Sequence, residues 1–404
     1  MRKRIIIIGG GFAGITAMHA LKKQLGHEVD VTLIDYRSNT LNKPRLPDVA
    51  TKGESVEHAR FLMEKAVEHD GYQLIQETVI KIDPKEQKVL LKEGGIESYD
   101  YLILATGVEK HYAGIEGFTE YGYSVCDDIQ APRLYRRLQT FKGGPIFIGS
   151  MPYESGTRVD APKLLAPCEG PVGEVMFMLK NFLTKKGVSE SSPITAFSPA
   201  KIFFEDVGDN VRNDVGAIMK KEGIGLITEK TVSKIDAERI YFEDGTSELC
   251  ALPIILPQYK PYAFLEEAGL TDEAGFIPTD RQMRHLDFKN IFAAGDVTAL
   301  SVPKLGHIAV IQADIAAKTI ATDLGKEVDI PAFEPAVLCV MERSDMQATM
   351  IYSNVLYGGK LDETIDGPIA FMMKWSFDFY YNFTRGHLPP DLAERLLVEY
   401  LSKK

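Results

Sequence analysis

The chain opens on an unbroken β-branched run, Ile5 to Ile8, the pattern of a strand buried on both faces of a sheet. Gly9, Gly11 and Gly14 follow, and the apolar spacing from Ile15 to Leu25 predicts a helix. Val29 to Ile34 predicts a second strand, ending at Asp35. These three pieces make one strand–helix–strand unit of ordinary length. Tyr99 to Leu104 predicts a further strand that closes on Ala105-Thr106-Gly107. Ile291 to Ala294 predicts another, closing on Gly295-Asp296, with a long apolar helix over Ala309 to Leu324 beyond it. Between these lie strands at Pro145 to Ile148 and Ile194 to Phe197, a helix over Val175 to Phe182, and a hairpin-type turn at Glu243-Asp244-Gly245-Thr246. From about Pro331 the character changes. The segment Phe371 to Phe383 is dense in aromatic residues and holds the only tryptophan.

A length of 404 residues exceeds one ordinary core and implies two or three domains. A net charge of -11 argues against nucleic acid as a partner. The four cysteines contain no Cys-x-x-Cys pair, so neither a metal site nor a disulfide framework is expected. The apolar run after the basic start is too short for a signal peptide, and no stretch reaches the roughly 18 apolar residues of a spanning helix. The aromatic segment is then best read as an interfacial helix, since Trp and Tyr favour the headgroup level. Lys374, Arg385 and His387 are placed to meet anionic lipid, which puts the protein peripherally on the cytoplasmic face of the cell membrane.

Gly9-x-Gly11-x-x-Gly14 between a strand and a helix is the dinucleotide fingerprint in its required setting. Gly9 serves the tight turn, Gly11 lets the backbone approach a pyrophosphate, and Gly14 lets helix and strand pack. Asp35 is placed to bond a ribose hydroxyl. Ala105-Thr106-Gly107 and Asn290-Ile-Phe-Ala-Ala-Gly295-Asp296 resemble the second and third motifs of the two-dinucleotide-binding-domain flavoproteins. That resemblance implies FAD as cofactor, with Thr106, Gly107, Gly295 and Asp296 in its site and Asp296 near the ribityl chain. The expected fold class is α/β, with two Rossmann-like dinucleotide-binding domains plus a C-terminal membrane-associating region. The FAD domain is expected over 1–112 and 260–330, the second over 113–259, and the amphipathic membrane and quinone region over 331–404.

Many such flavoproteins take hydride from a nicotinamide cofactor on a second glycine turn. Here the corresponding strand ends in Gly149-Ser150-Met151-Pro152, and Pro152 restricts the turn and lacks an N–H. Three cysteines offer another donor chemistry: Cys126, Cys168 in Pro167-Cys168-Glu169-Gly170-Pro171, and Cys339. With Val302-Pro303-Lys304-Leu305-Gly306, these segments resemble the sulfide:quinone oxidoreductases, the archaeal-type branch in particular. The resemblance implies that Cys168 and Cys339 are a redox pair beside the flavin. It places Cys126 as a third cysteine near the flavin methyl group and Lys304 on the pyrimidine side. Hydrosulfide can attack a disulfide sulfur and leave a persulfide and a thiolate. Cys250 matches no such position and reads as a small buried hydrophobe.

Sulfide and a membrane quinone are the partners implied, together with the bilayer surface; a homo-oligomer is left open. Relatives often carry a histidine soon after the first cysteine, and here none follows until His285. Glu169, Glu174 and His307 are the remaining proton carriers to consider. Tyr352, Tyr357, Phe379 and Phe383 are candidate ring contacts for a quinone, with His307 and Gln312 for its carbonyls. A type II NADH:quinone oxidoreductase and the flavoprotein subunit of a flavocytochrome sulfide dehydrogenase are the alternatives.

Overall fold

The structure is a computed structural model that describes residues 2–154, 156, 158–159, 162–166, 169–389 and 391–402, the backbone alone for 391–395. Cys168 lies outside the described residues.

Ile5 to Ile8 belong to the strand Lys3–Ile8, which forms the middle of a five-stranded parallel sheet. Its neighbours are Tyr101–Leu104 and Val29–Asp35, with Ile291–Ala293 and Gln73–Gln76 at the edges. Both faces are covered, which is why the run is unbroken rather than alternating. Helices Phe12–Leu25 and Gly306–Asp323 pack together on one face, around Ile15, Met18, Ala313 and Ile320. The other face holds an antiparallel meander, Val79–Asp83, Lys88–Leu91 and Ile96–Ser98. The carboxyl ends of the strands, at Gly9, Ala105 and Gly295, meet where strand order reverses, the usual place for a ligand crevice in such sheets.

The chain leaves this unit through Glu109–His111 and returns through Gln258–Lys260, and the two crossings pair antiparallel. Between them stands a second parallel sheet in the order Gly225–Ile227, Ile194–Phe197, Ile146–Ser150, Leu252–Leu256. A second meander over Val232–Leu249 packs on it through Ile235, Ile240 and Phe242. The protein is thus α/β with two Rossmann-like parallel sheets.

Beyond residue 331 the chain holds more than the expected aromatic helix. Strands Val337–Ser344, Gln347–Ser353 and Asp362–Gly367 form an antiparallel sheet against helix Gly170–Lys186. Helix Pro368–Phe383 follows, with proline in its first turn where a missing N–H costs nothing. It buries Ala370, Lys374, Asp378 and Tyr381, while Ile369, Met372, Trp375, Phe379 and Phe383 face outward. No helix among the described residues is long and apolar enough to cross a membrane.

Gly14 is where the first helix meets its strand. A Cβ there would lie 1.7 Å from the Gly9 carbonyl oxygen, which is backbone and cannot yield. We expect Gly14→Ala to lose about 2–3 kcal/mol of stability, the cost of overpacking a tight contact, in urea unfolding. A variant as stable as the parent would mean that this contact is not tight.

Candidate active site

A cavity of about 1740 Å³ runs from the first helix N-terminus to helix Pro368–Phe383. Gly9, Gly11, Asp35, Thr106, Gly107, Cys126, Gly295, Asp296, Lys304 and Cys339 all line it. Of the other residues singled out from the sequence, Gly14 sits behind it in the helix–strand contact. The glycines differ in their reasons. Gly9 has φ +105°, and a Cβ would meet the Ala105 carbonyl oxygen at 2.3 Å. A Cβ on Gly11 would meet no protein atom within 4 Å, so the space it leaves belongs to the cavity. Gly11 also caps helix Phe12–Leu25, whose first N–H groups face that space.

Asp35 accepts hydrogen bonds from the amides of Gly10 and Arg37, both at 2.7 Å. Burial nevertheless pushes its carboxyl up. Asp296 lies 3.5 Å from the Lys43 ammonium. Lys304 is buried, donates to the Thr298 carbonyl at 3.0 Å, and sits 5.0 Å and 5.1 Å from the Tyr153 and Phe276 ring centres. Burial pulls its ammonium down to about 8, with Asp296 and Asp272 opposing. Lys110, which carried no sequence signal, lines the same cavity and is lowered by burial and by Lys43.

Cys126 is buried, its Sγ 3.8 Å from the Tyr259 hydroxyl. Burial raises its thiol, and the Lys110 charge opposes that. Cys339 stands in the C-terminal sheet, opposite Ile351. A Cβ built on Gly170 would come within 3.1 Å of Cys339 Sγ, so the residue two beyond Cys168 is packed against that sulfur. Burial pushes the Cys339 thiol up to about 12; Glu174 adds to this and Lys374 opposes it. Cys250 is buried in the second unit, among Ile240, Phe242 and Ile255, and lines no part of the cavity.

The acidic and basic candidates separate here. Glu174 lines the cavity, accepts from the Glu342 amide at 3.2 Å and from the Lys374 ammonium, and is pushed up to about 7 by burial. Lys374 is buried between Glu174 and Asp48, which raises it, so it is a structural cation and not a lipid contact. The lone cation between Phe371 and Phe383 reads the same in sequence whether it meets lipid or a carboxylate. Gln312 is likewise not free for a ligand. Its Oε1 accepts from the Gly295 amide at 2.7 Å and its Nε2 donates to the Thr298 hydroxyl at 3.3 Å. His307 and Tyr352 line the cavity, whereas Tyr357 is not among its lining residues and Phe379 and Phe383 point outward. Glu169 lies outside it too, accepting from the Phe204 amide at 2.6 Å with Oε1 unpartnered.

A family model described as pyridine nucleotide-disulphide oxidoreductase matches residues 3–141 and 191–313. The chain belongs to that family; it is a flavoprotein oxidoreductase. Within the family it resembles sulfide:quinone oxidoreductases, as the cysteine and lysine segments implied. It is 25% identical to the sulfide-quinone reductase of Aquifex aeolicus, over 99% of this chain and 96% of that protein. The crystal structure of the Aquifex aeolicus sulfide:quinone oxidoreductase superposes with a TM-score of 0.87 at 23% identity, over 99% of this chain and 95% of that one. A type II NADH:quinone oxidoreductase of Staphylococcus aureus is also similar, 23% identical over 81% of this chain and 84% of that protein.

Burial pushes the Glu169 carboxyl from 4.5 up to about 8, Ser198 and the Phe204 amide opposing and Asp206 adding. The folded state holds this proton more tightly than the unfolded one. The stability it confers is complete below pH 4.5 and is lost as pH rises through about 8. Glu169→Gln should therefore melt higher than the parent above pH 8, with the gap closing toward pH 5. Parallel melting curves across that range would defeat this reading.

Proposed function

We propose that the protein oxidises sulfide at a cysteine pair and reduces a membrane quinone, with FAD held in the cavity between the two. One observation carries the reading. A single cavity gathers the glycine cradle, Lys304, Cys126 and Cys339, and its far end is lined by Met372, Phe377 and Tyr380 of the aromatic helix.

The residues fit FAD. Gly11 leaves room where a pyrophosphate would lie, the helix N-terminus behind it offers N–H groups, and Asp35 is at hand for a ribose. Thr106, Gly107, Gly295 and Asp296 line the cavity and would hold FAD, with Asp296 toward the ribityl chain and Lys304 at the ring. When bound, FAD supplies a two-electron carrier. Residues 1–112 and 260–330 then form its domain, 113–259 the second Rossmann-like domain, and 331–404 the quinone and membrane region.

Hydrosulfide attacks the Cys168–Cys339 disulfide, leaving a persulfide on one sulfur and a thiolate on the other. A second hydrosulfide takes the outer sulfur away as disulfane, and the two thiolates that remain close again to the disulfide by losing two electrons, which the quinone finally takes. Gly170, packed on Cys339 Sγ at the start of a 17-residue helix, puts that helix's positive end beside the developing thiolate. Quinone reduction consumes two protons. Glu174, titrating near 7 at the cavity wall beside Lys374, is placed to deliver one.

The NADH-linked reading lacks its cradle. Among the described residues of the second unit, Ile146–Ser150 is followed by no helix until Gly170. Gly149 is occupied with packing, since a Cβ there would meet the Phe197 carbonyl at 2.2 Å.

Membrane attachment is supported by a helix whose polarity is reversed. Lys374 and Asp378 face the protein, while Trp375, Phe379 and Phe383 are 53%, 57% and 75% exposed. Their rings stack successively at 5.7 Å, making an aromatic ladder along the outside. Such a face suits the headgroup level of a bilayer, and the cavity reaches the same helix through Ile369 and Met372. A quinone could then enter without crossing water.

Anaerobic titration tests the donor. Sulfide should bleach the flavin within a turnover and NADH should not, while Cys168→Ser and Cys339→Ser should each lose at least about 99% of sulfide-driven quinone reduction, with normal flavin content. Serine cannot form the disulfide. Near-full activity in either variant, or bleaching by NADH alone, overturns the proposal. For the membrane, Trp375→Ser, Phe379→Ser and Phe383→Ser combined should abolish co-sedimentation with anionic vesicles and leave the melting temperature within a few degrees. Unchanged sedimentation would place the anchor elsewhere.

A further inference from the structure

Three imidazoles and one carboxylate gather on the far side of helix Phe12–Leu25. None of His19, His69, Asp70 and His387 lines the cavity. His19 Nδ1 lies 2.6 Å from Asp70 Oδ2, and both residues are buried. His69 Nδ1 lies 3.1 Å from the other Asp70 oxygen. The His387 ring covers that of His19 at 3.6 Å, and His69 approaches His387 edge-on at 5.5 Å. The ligand atoms of His19, Asp70 and His387 all fall within 4.8 Å of one another.

The hydrogen bonding shows what the cluster needs. His19 Nε2 is 3.1 Å from the Arg385 carbonyl oxygen, which can only accept, so Nε2 carries hydrogen. In the neutral ring Nδ1 then presents a lone pair to a carboxylate oxygen at hydrogen-bond distance. That contact requires a positive centre between them. A proton would serve one ring, but three imidazoles surround this one carboxylate. A histidine whose far N–H is held by a backbone carbonyl is also the usual setting of a metal-bound imidazole.

The backbone is shaped to bring His387 there. Arg385 adopts φ +57° and Gly386 φ +93°, and a Cβ on Gly386 would strike Ile15 Cγ2 at 2.3 Å. The chain leaving the aromatic helix is thus pressed onto the first helix, which only glycine permits at that point. From these contacts we propose that His19, Asp70 and His387, with His69 at the rim, bind a divalent transition metal ion of the zinc or cobalt class. The ion takes nitrogen and oxygen ligands with no thiolate, displaces any proton between His19 and Asp70, and fastens the C-terminal segment to the first strand–helix–strand unit. The site arises from three separate segments, so no ligand spacing announces it in the sequence.

The test uses the full-length protein, stripped with chelator and titrated with Co²⁺. The expected result is one Co²⁺ per chain with a nitrogen–oxygen ligand-field spectrum and no thiolate charge-transfer band. His387→Asn and Asp70→Asn should each weaken Co²⁺ binding by at least about tenfold. Co²⁺ should raise the melting temperature of the parent and leave that of His387→Asn, a partly buried position, unmoved. No uptake by the parent would mean that a proton alone joins His19 and Asp70, and would overturn the proposal. Equal affinity in His387→Asn, or a thiolate band in the spectrum, would overturn it as well.

Discussion

The Lys374 ammonium is buried where three separate parts of the chain meet. Glu174 comes from helix Gly170–Lys186, Asp48 from the first unit, and Lys374 itself from the aromatic helix. Lys52 extends the network to Asp48 at 2.8 Å and to Glu342 of the C-terminal sheet. An unpaired buried charge would cost about 3–5 kcal/mol, so each partner is committed to the arrangement once the others are in place. The walls of the cavity follow. Glu174 and Lys374 both line it, and Cys339 stands close enough for its thiol to feel both charges.

The same cation orients its helix. Holding Lys374 and Asp378 inward turns Ile369, Met372, Trp375, Phe379 and Phe383 outward, because side chains about 100° apart in a helix cannot all share one face. An apolar outer face and a polar inner one would be unstable in water alone. The buried ions compensate inside, and an apolar phase compensates outside. Tyr381, stacked on Phe12 at 4.6 Å, ties the helix to the start of helix Phe12–Leu25, between Gly11 and Gly14. The proposed entry for quinone and the proposed flavin cradle therefore share one rigid contact.

Burial governs the chemistry available in the cavity. It holds the Cys126 and Cys339 thiols neutral, lowers the Lys304 ammonium to about 8 and raises Glu174 to about 7. Lys304 and Glu174, each fixed in one charge state in water, are thereby poised near neutral pH, while the two thiols are held protonated. A site that exchanges thiols, electrons and protons needs such groups. The water-filled surface of a Rossmann sheet would not supply them.

Much of this was legible in the chain. Ile5 to Ile8, Gly9, Gly11, Gly14 and Asp35 specify the first unit locally, since strand burial, glycine conformations and an acid at a strand end are properties of short windows. Two strands of the second parallel sheet, Ile146–Ser150 and Ile194–Phe197, were legible from their buried runs, whereas Gly225–Ile227 and Leu252–Leu256 were not read as strands. Of the antiparallel meanders, whose strands are short, only the turn Glu243–Thr246 was legible, and the strands over Val337–Gly367 were not, because they alternate weakly between exposed and buried positions. Nor could any window show that Lys374 would be buried, that Gln312 would serve Gly295, or that Lys110 would face Cys126. Those outcomes depend on which distant groups arrive within a few ångströms, and a charge among aromatics reads the same whether it meets lipid or a carboxylate. Local sequence determined the elements and the cradle; only the tertiary structure decided which charges were desolvated and what they face, because desolvation is set by neighbours far away along the chain.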